Sequence, residues 1–522
     1  MKGIYDVVVI GAGLAGLCAG AYVARDGCRV LVCEQAERIG GYFRCFSREG
    51  FTFDTGLKAV ENAGMLLPML RQLKLADKVK LRKCTSAMVL PNELITLRNI
   101  NDIKRLYAVL GNHFPDQRQG LAALLRQSDR IATWVNAIAT VPNPLFEEAK
   151  DLLPKILPWL IKNLPAMLNF RRTQSLLEVP MTTFLSRYVN DAALVRVLTE
   201  LFFEGTPALF GMGYSRVYMD YYYADGGMQS LTDVLADYIR EKGGVIQTGA
   251  RVKMILVDKG KATGVELTNG CRISASYVVA ASDMKHTFLD MVDPRILEAG
   301  FRTQVAEARI GESAACVFLA TDMNPKDLPV QGCAHLYYLP DYQGIEPQDR
   351  MDEDFFARSP LEISIPCLND PALAPPGKSG IIISALAKAE FCASWNTNKG
   401  EATPAYYALK ESVADQIVKS ASRIFPGLAE HILFRQIATP YTYARYTLNS
   451  GGSICGWTYD RQTTFHRGGL GAMQKSMLTP IDGLLQAGHW TVYPGGAPVC
   501  ILSGRLAADY ISRRSKKEAK SR

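Results

Sequence analysis

Long apolar runs are missing from this chain. No stretch reaches the ~18 consecutive apolar residues that a membrane span needs. The apolar residues nearest the N-terminus are spent on a strand and a helix rather than on a leader. The chain is therefore expected in the cytosol, either free or peripheral on the cytosolic face of a membrane. Histidine is scarce, six in 522 residues. The twelve cysteines (Cys18, Cys28, Cys33, Cys45, Cys84, Cys271, Cys316, Cys333, Cys367, Cys392, Cys455 and Cys500) include no CxxC pair and no close cysteine–histidine cluster. Neither a disulfide framework nor a metal or iron–sulfur site is expected, and the cysteines read as small buried hydrophobes. No Ser-His-Asp arrangement stands out. No basic helix carries interleaved aromatics, so nucleic acid is not an expected partner. Much of the net charge of +8 is local: residues 513–522 carry six basic side chains and one acid. That segment reads as a solvated, disordered tail or as an electrostatic contact with anionic lipid.

What is present is an ordinary globular composition, 48% hydrophobic and 21% charged, at a length that suits two interleaved domains rather than one core. The most informative segment comes first. Val7-Val8-Val9-Ile10 reads as a buried strand, followed by Gly11-Ala12-Gly13-Leu14-Ala15-Gly16 and a helix. Gly11 permits the tight turn, Gly13 lets backbone approach a pyrophosphate, and Gly16 lets helix and strand pack closely. Free N–H groups at the helix N-terminus suit phosphate. A second strand, Arg29–Cys33, ends on Glu34, an acceptor placed for ribose hydroxyls. Past the acid, Gln35, Arg38 and the pair Gly40-Gly41 extend the motif beyond what a nicotinamide dinucleotide needs. A flavin, whose ribityl chain and rings continue past the pyrophosphate, does need backbone there. Arg38 is a candidate phosphate or ring contact. Gly50-Phe51-Thr52-Phe53-Asp54-Thr55-Gly56 reads as a strand running into a glycine turn.

Residues 5–57 resemble the N-terminal segment of the FAD-dependent phytoene desaturase, carotenoid isomerase and retinol saturase family, within the amine oxidase superfamily. The resemblance continues through two further segments. Tyr222–Met228 leads into an amphipathic helix and then Val245–Val252. A β-meander follows over 253–281, with Lys-Gly and Asn-Gly turns. At the C-terminus, the strand Gly483–Gly488 runs into His489-Trp490-Thr491-Val492-Tyr493-Pro494-Gly495-Gly496-Ala497-Pro498 and a helix from Val499 to Ile511. The resemblance implies an α/β fold. A discontinuous Rossmann-like FAD-binding domain (1–60, 222–285, 478–512) would carry the meander, and an α+β substrate domain would span 61–221 and 286–477. This is the two-domain architecture of p-hydroxybenzoate hydroxylase and amine oxidases. The implied FAD contacts are Gly11, Ala12, Gly13, Leu14, Ala15, Gly16, Glu34, Gln35, Arg38, Gly40, Gly41, Tyr42, Val252, Ala281, Gly488, His489, Ala497, Pro498 and Val499. Many relatives have aspartate where His489 stands, so the aspartate's contact does not carry over. His489 reads either as a proton donor beside the flavin or as a polar cofactor contact.

The implied activity is desaturation, saturation or cis–trans isomerisation of a carbon–carbon bond in a hydrophobic, isoprenoid-like molecule. An amine-oxidase-like reaction on a smaller polar substrate and a non-catalytic FAD-bound scaffold are the alternatives. No second GxGxxG follows a strand, so the electron partner, quinone or nicotinamide, is expected to be external or to share the flavin-facing tunnel. Two further features are ambiguous from sequence. Leu152, Leu153, Ile156, Leu157, Leu160, Ile161 and Leu164 lie at helical spacing in 147–170, interrupted by Pro154, Pro158 and Pro165. This predicts short helices, either packed on the core or dipping into a membrane with Trp159 at the interface. The aromatics Tyr441, Tyr443, Tyr446 and Trp457, and Tyr218, Tyr221, Tyr222 and Tyr223, read equally as a substrate lining or as core.

Overall fold

The computed structural model describes residues 5–147, 149–168, 173–217, 219–388, 390, 402–458, 473–492 and 495–520. Its first sheet is built on the glycine-motif strand Tyr5–Ile10, flanked in parallel by Val30–Cys33 on one side and Arg272–Ala280 on the other. Val245–Gln247 extends the sheet beyond Val30–Cys33, and Leu484–Gln486 pairs with Arg272–Ala280, both in parallel. The central strands are buried on both faces, which is why Val7–Val9 and Val30–Val32 read as unbroken apolar runs. The meander Val252–Asp258, Lys261–Leu267 and Arg272–Ala280 is antiparallel, and its last strand is also a strand of the parallel sheet. Helix Leu14–Arg25 packs against Gln229–Glu241 and against the C-terminal helix Ala497–Lys520. Three sequence-distant segments thus meet in one layer.

The second sheet has seven strands, in the order Ile432–Ala438, Ser313–Thr321, Ser379–Ala387, Leu361–Ser364, His335–Tyr338, Ser86–Leu90 and Glu93–Thr96. Its side chains alternate sharply. Leu336, Ile363, Ile383 and Val317 point into an apolar core that includes Val413 and Ile417 of helix Pro404–Ala421. Ala314, Ser384, Glu362, His335 and Tyr337 point the other way, into a cavity. The protein therefore has the two-domain α/β architecture, and a small sheet of Val60–Glu61, Tyr221–Ala224 and Leu81–Lys83 lies where the two parts meet.

Two expectations need correction. Residues 147–170 do not form short helices: Ala149–Leu168 is one continuous helix through Pro154, Pro158 and Pro165. Pro154 and Pro158 lie on the exposed part of this helix. Nor does the helix bury its apolar face. Leu153, Leu157, Leu160, Ile161 and Leu164 are 76, 63, 43, 71 and 56% exposed. Trp159 is instead turned inward, its indole N–H donating to Ala137 O at 3.1 Å. The basic tail is likewise ordered as helix as far as Lys520, since Arg514 is paired with Asp482 and Arg513 with Asp509. Among the described residues every cysteine is free, and no helix is long and apolar enough to cross a membrane.

Candidate functional site

The glycine turn is held by contacts that only glycine allows. Gly11 has φ +96°, and a Cβ there would come within 2.9 Å of Ala281 O. A Cβ on Gly16 would lie 1.9 Å from Gly11 O. Gly13 stands at the N-terminal end of helix Leu14–Arg25 and bridges to Gly40. The pair Gly40-Gly41 is folded back onto the first turn: Gly40 N–H donates to Ala12 O at 2.8 Å, and a Cβ on Gly41 would sit 3.2 Å from Gly13 Cα. Ala12, Leu14 and Ala15 are buried beneath.

Glu34 closes this turn. Its carboxylate accepts from Ala12 N–H at 2.8 Å and Ala36 N–H at 2.9 Å, and Arg44 approaches at 3.4 Å. Oε1 takes both Ala36 and Arg44, whereas Oε2 takes Ala12 alone and keeps a lone pair for a further donor, such as a ribose hydroxyl. Backbone bonds Ala250 N–H to Glu34 O and Gly249 N–H to Ala36 O place the segment leading to buried Val252 beside Glu34–Ala36, with Gln35 half-buried between. Arg38 is exposed and is brought to no described side chain; the arginine that reaches Glu34 is Arg44, which sequence reasoning passed over.

The C-terminal strip arrives on the other side. Gly488, at φ +104°, donates its N–H to Ser503 Oγ, and a Cβ there would lie 3.7 Å from Ala15 Cβ. His489 sits between the rings of Tyr42 (6.2 Å) and Trp490 (5.2 Å). Burial pushes its pKa down to about 4, so the imidazole is neutral at pH 7 and is a poor cationic proton donor. The helix begins at Ala497, with Pro498 and Val499 in its first turn. Beside it, a Cβ on Gly496 would be 3.7 Å from Glu61 Oε1. Tyr42 is fixed by donating to Ser453 O at 2.9 Å and accepting from Asn449 Nδ2 at 3.2 Å.

From this junction a cavity of about 1510 Å³ opens. Tyr42, Gly56, Lys58, Glu61, His489 and the 495–500 turn line one part of it; Trp134, Val135, Ile138, Leu177, Phe202 and Phe210 line another. The stretches 141–145 and 174–178, which flank the exposed helix Ala149–Leu168, also border it. The expected aromatic lining divides. Tyr443 and Tyr221 face the cavity. Tyr223 is fully buried and donates to Asp54 at 2.6 Å, Trp457 packs on Trp490 at 4.7 Å, Tyr441 packs on Tyr406, and Tyr446 is exposed. Tyr222 is half-buried in the small sheet, and Tyr218 lies outside the described residues. Sequence reasoning missed Lys58, Glu61, His335 and Glu362, four charged or titratable side chains on the cavity wall.

A glycine-cradled turn, a buried ribose-type acceptor and a facing helix N-terminus, set beside one large cavity, define a nucleotide-dependent redox protein of the two-domain flavoprotein type. The chain belongs to the family of flavin-containing amine oxidoreductases, whose profile matches residues 14–512. It is 25% identical to the chloroplastic prolycopene isomerase of Arabidopsis thaliana over 543 residues, covering 100% of this chain and 85% of that protein. It is 24% identical to a 4,4'-diapophytoene desaturase of Methylomonas sp over 393 residues (73% of each). It is 25% identical to human all-trans-retinol 13,14-reductase over 488 residues (87% and 77%). The fold matches that of cyclohexylamine oxidase from Brevibacterium oxydans with a TM-score of 0.61 at 14% identity, over 98% of this chain and 100% of that one. The protein is an FAD-dependent oxidoreductase.

Proposed function

We propose that this flavoenzyme acts on a carbon–carbon bond of a hydrophobic, isoprenoid-like molecule, by desaturation, saturation or isomerisation. The observation that carries this reading is the cavity. Its volume of about 1510 Å³ includes the place proposed for the flavin ring beside Tyr42, His489 and 497–499, and its lining continues well beyond those residues. Its far wall, with Trp134, Val135, Ile138 and Phe202, suits an elongated apolar chain better than a small amine. The resemblance to enzymes named for prolycopene, diapophytoene and retinol supports the same class.

Bound FAD supplies hydride or electron transfer at its ring. The chain's part is to bind, orient and exclude water. Gly11, Gly13 and Gly16 with the N-terminus of helix Leu14–Arg25 would hold the pyrophosphate, and Glu34 the ribose. Gly40-Gly41 and Tyr42 would bracket the ribityl side, and His489 with Ala497–Val499 the ring. His489, being neutral, serves as a polar contact rather than as an acid. The electron partner, a quinone or a nicotinamide, is either external or shares the flavin-facing tunnel. The exposed leucine–isoleucine face of Ala149–Leu168, a helix whose flanking stretches border the cavity, supports a peripheral seat on a lipid surface from which an apolar substrate enters.

The test is organic extraction and mass spectrometry of lipids that copurify with the protein, followed by anaerobic flavin spectra with those lipids. Copurified isoprenoids that perturb or reduce the flavin are the expected result. Flavin reduction by a small amine, with no response to any isoprenoid, would overturn the proposal.

A further inference from the structure

The cavity wall is mostly apolar, and one of its charged patches is only partly satisfied. Strand pairing builds the patch. Glu362 lies directly across from Tyr337 on one side and Ser384 on the other; His335 lies across from Ser364 and from Ser86. Directly opposed residues share a face, so these side chains form two adjacent polar rows on the cavity side of the sheet. Lys58 reaches the same place from the loop after Gly56. Its Nζ is 3.1 Å from Glu362 Oε2, while His335 Nε2 is 2.9 Å from Glu362 Oε1. Lys58 is only 8% exposed and His335 only 3%. The ion pair is real in charge as well as in geometry. Burial alone would push Lys58 down and Glu362 up, but their mutual attraction outweighs it and moves both the opposite way.

The unused capacity is specific. A lysine ammonium has three N–H donors, and among the described residues Glu362 takes one. Among the described residues, Ser86 Oγ, Ser364 Oγ and both ring nitrogens of His335 lack a well-aligned hydrogen bond, although Nε2 lies near Glu362 Oε1. Buried polar groups are ordinarily paired. A hydrocarbon seated here would strip water from Lys58 and Glu362 and return no hydrogen bond, which is costly for a buried pair. An oxygen atom would accept from the spare ammonium N–H and restore the balance. Because Lys58 and Glu362 cancel, the patch has no need of a charged ligand, so a neutral oxygen suits it better than a carboxylate.

We infer that Lys58, Glu362 and His335 form a polar subsite that takes a hydroxyl or carbonyl oxygen of an otherwise apolar substrate. This rests on the proposal that the cavity binds an isoprenoid-like chain. Lys58 is the donor, Glu362 holds it in place, and His335 lies against the other oxygen of Glu362.

The test compares equilibrium binding to the holoprotein, anaerobically and in the dark, of all-trans-retinol, all-trans-retinal and the deoxy hydrocarbon of the same skeleton, followed by quenching of tryptophan fluorescence. The wild-type protein is expected to prefer either oxygenated ligand over the hydrocarbon by about 10- to 100-fold, the discrimination of a charged donor against an analogue lacking its acceptor. Lys58→Met should reduce that preference to within about threefold with hydrocarbon binding kept or improved, and Lys58→Arg should retain most of it. Flavin absorbance and far-UV circular dichroism check that each variant is folded. The wild-type comparison needs no variant, and His335→Gln provides a second, milder perturbation of the same patch. Equal wild-type binding of hydrocarbon and alcohol, or an undiminished preference in folded Lys58→Met, would overturn the subsite and leave the proposed function standing. If no polyene binds, the proposed function itself fails.

Discussion

Replacing Glu34 by alanine tests the cofactor cradle at its most buried charged point. The Glu34 carboxylate, 5% exposed, accepts the Ala12 and Ala36 N–H groups at 2.8 and 2.9 Å. Hydrogen bonds to a charged acceptor are worth about 1.5–3 kcal/mol each. Alanine removes the acceptor for both amides and leaves the Ala12 N–H buried in the turn. It also removes the acceptor proposed for the ribose, and that one lost bond corresponds to about 10- to 150-fold weaker FAD binding. The assay is reconstitution of deflavinated protein, with flavin fluorescence quenching titrated separately with FAD and FMN. FMN has no adenosine ribose, so its affinity should change by less than about threefold, and the ratio of the two isolates the ribose contact from any loosening of the turn. Glu34→Gln, which keeps one acceptor oxygen, should fall between wild type and alanine. An unchanged FAD affinity, or equal weakening of FAD and FMN, would refute the ribose assignment.

Gly16→Ala would force a Cβ to within 1.9 Å of Gly11 O; overpacking of this kind costs about 1–3 kcal/mol or more. A lower Tm and flavin-poor protein are expected, and a normally yellow, equally stable variant would contradict the packing. His489 has a folded pKa of about 4 against an ordinary 6.5, so between these values the native state binds fewer protons than the unfolded one. Its contribution to stability is therefore present above pH ~6.5 and lost as the pH falls toward 4. His489→Asn should flatten the decline of Tm over that window, and an identical Tm–pH profile would contradict it. Leu157→Glu with Ile161→Glu alters side chains that are 63 and 71% exposed, so stability should shift by no more than ~0.5 kcal/mol per site while sedimentation with anionic liposomes is lost. Undiminished sedimentation would refute the lipid-facing role of this helix.

The parts of the site legible in the sequence are those whose constraint is local. Gly11, Gly13 and Gly16 are required by the turn they form, and Glu34 follows at the end of the next strand, so spacing alone brings them into register. The meander and the loop before Ala497 were legible for the same reason. Proline misled in Ala149–Leu168 because the lost amide donor and the ring's clash with the preceding turn weaken a helix locally without ending it here. The composition of 513–522 misled likewise, since charge alone does not reveal that Asp482 and Asp509 stand opposite the arginines.

By itself, then, the sequence determined the glycine turn, the acid at the end of the next strand and the chain order of the segments that meet in one sheet. Each rests on interactions within a turn or between neighbouring strands. Only the tertiary structure decided what lines the cavity. Lys58, His335 and Glu362 are far apart in the chain and carry no motif. They meet because one long sheet sets Leu361–Ser364 beside His335–Tyr338 and turns alternate side chains toward the cavity, with the loop after Gly56 lying against it. Contacts of that range depend on strand order and register, which side-chain periodicity in a single strand does not encode.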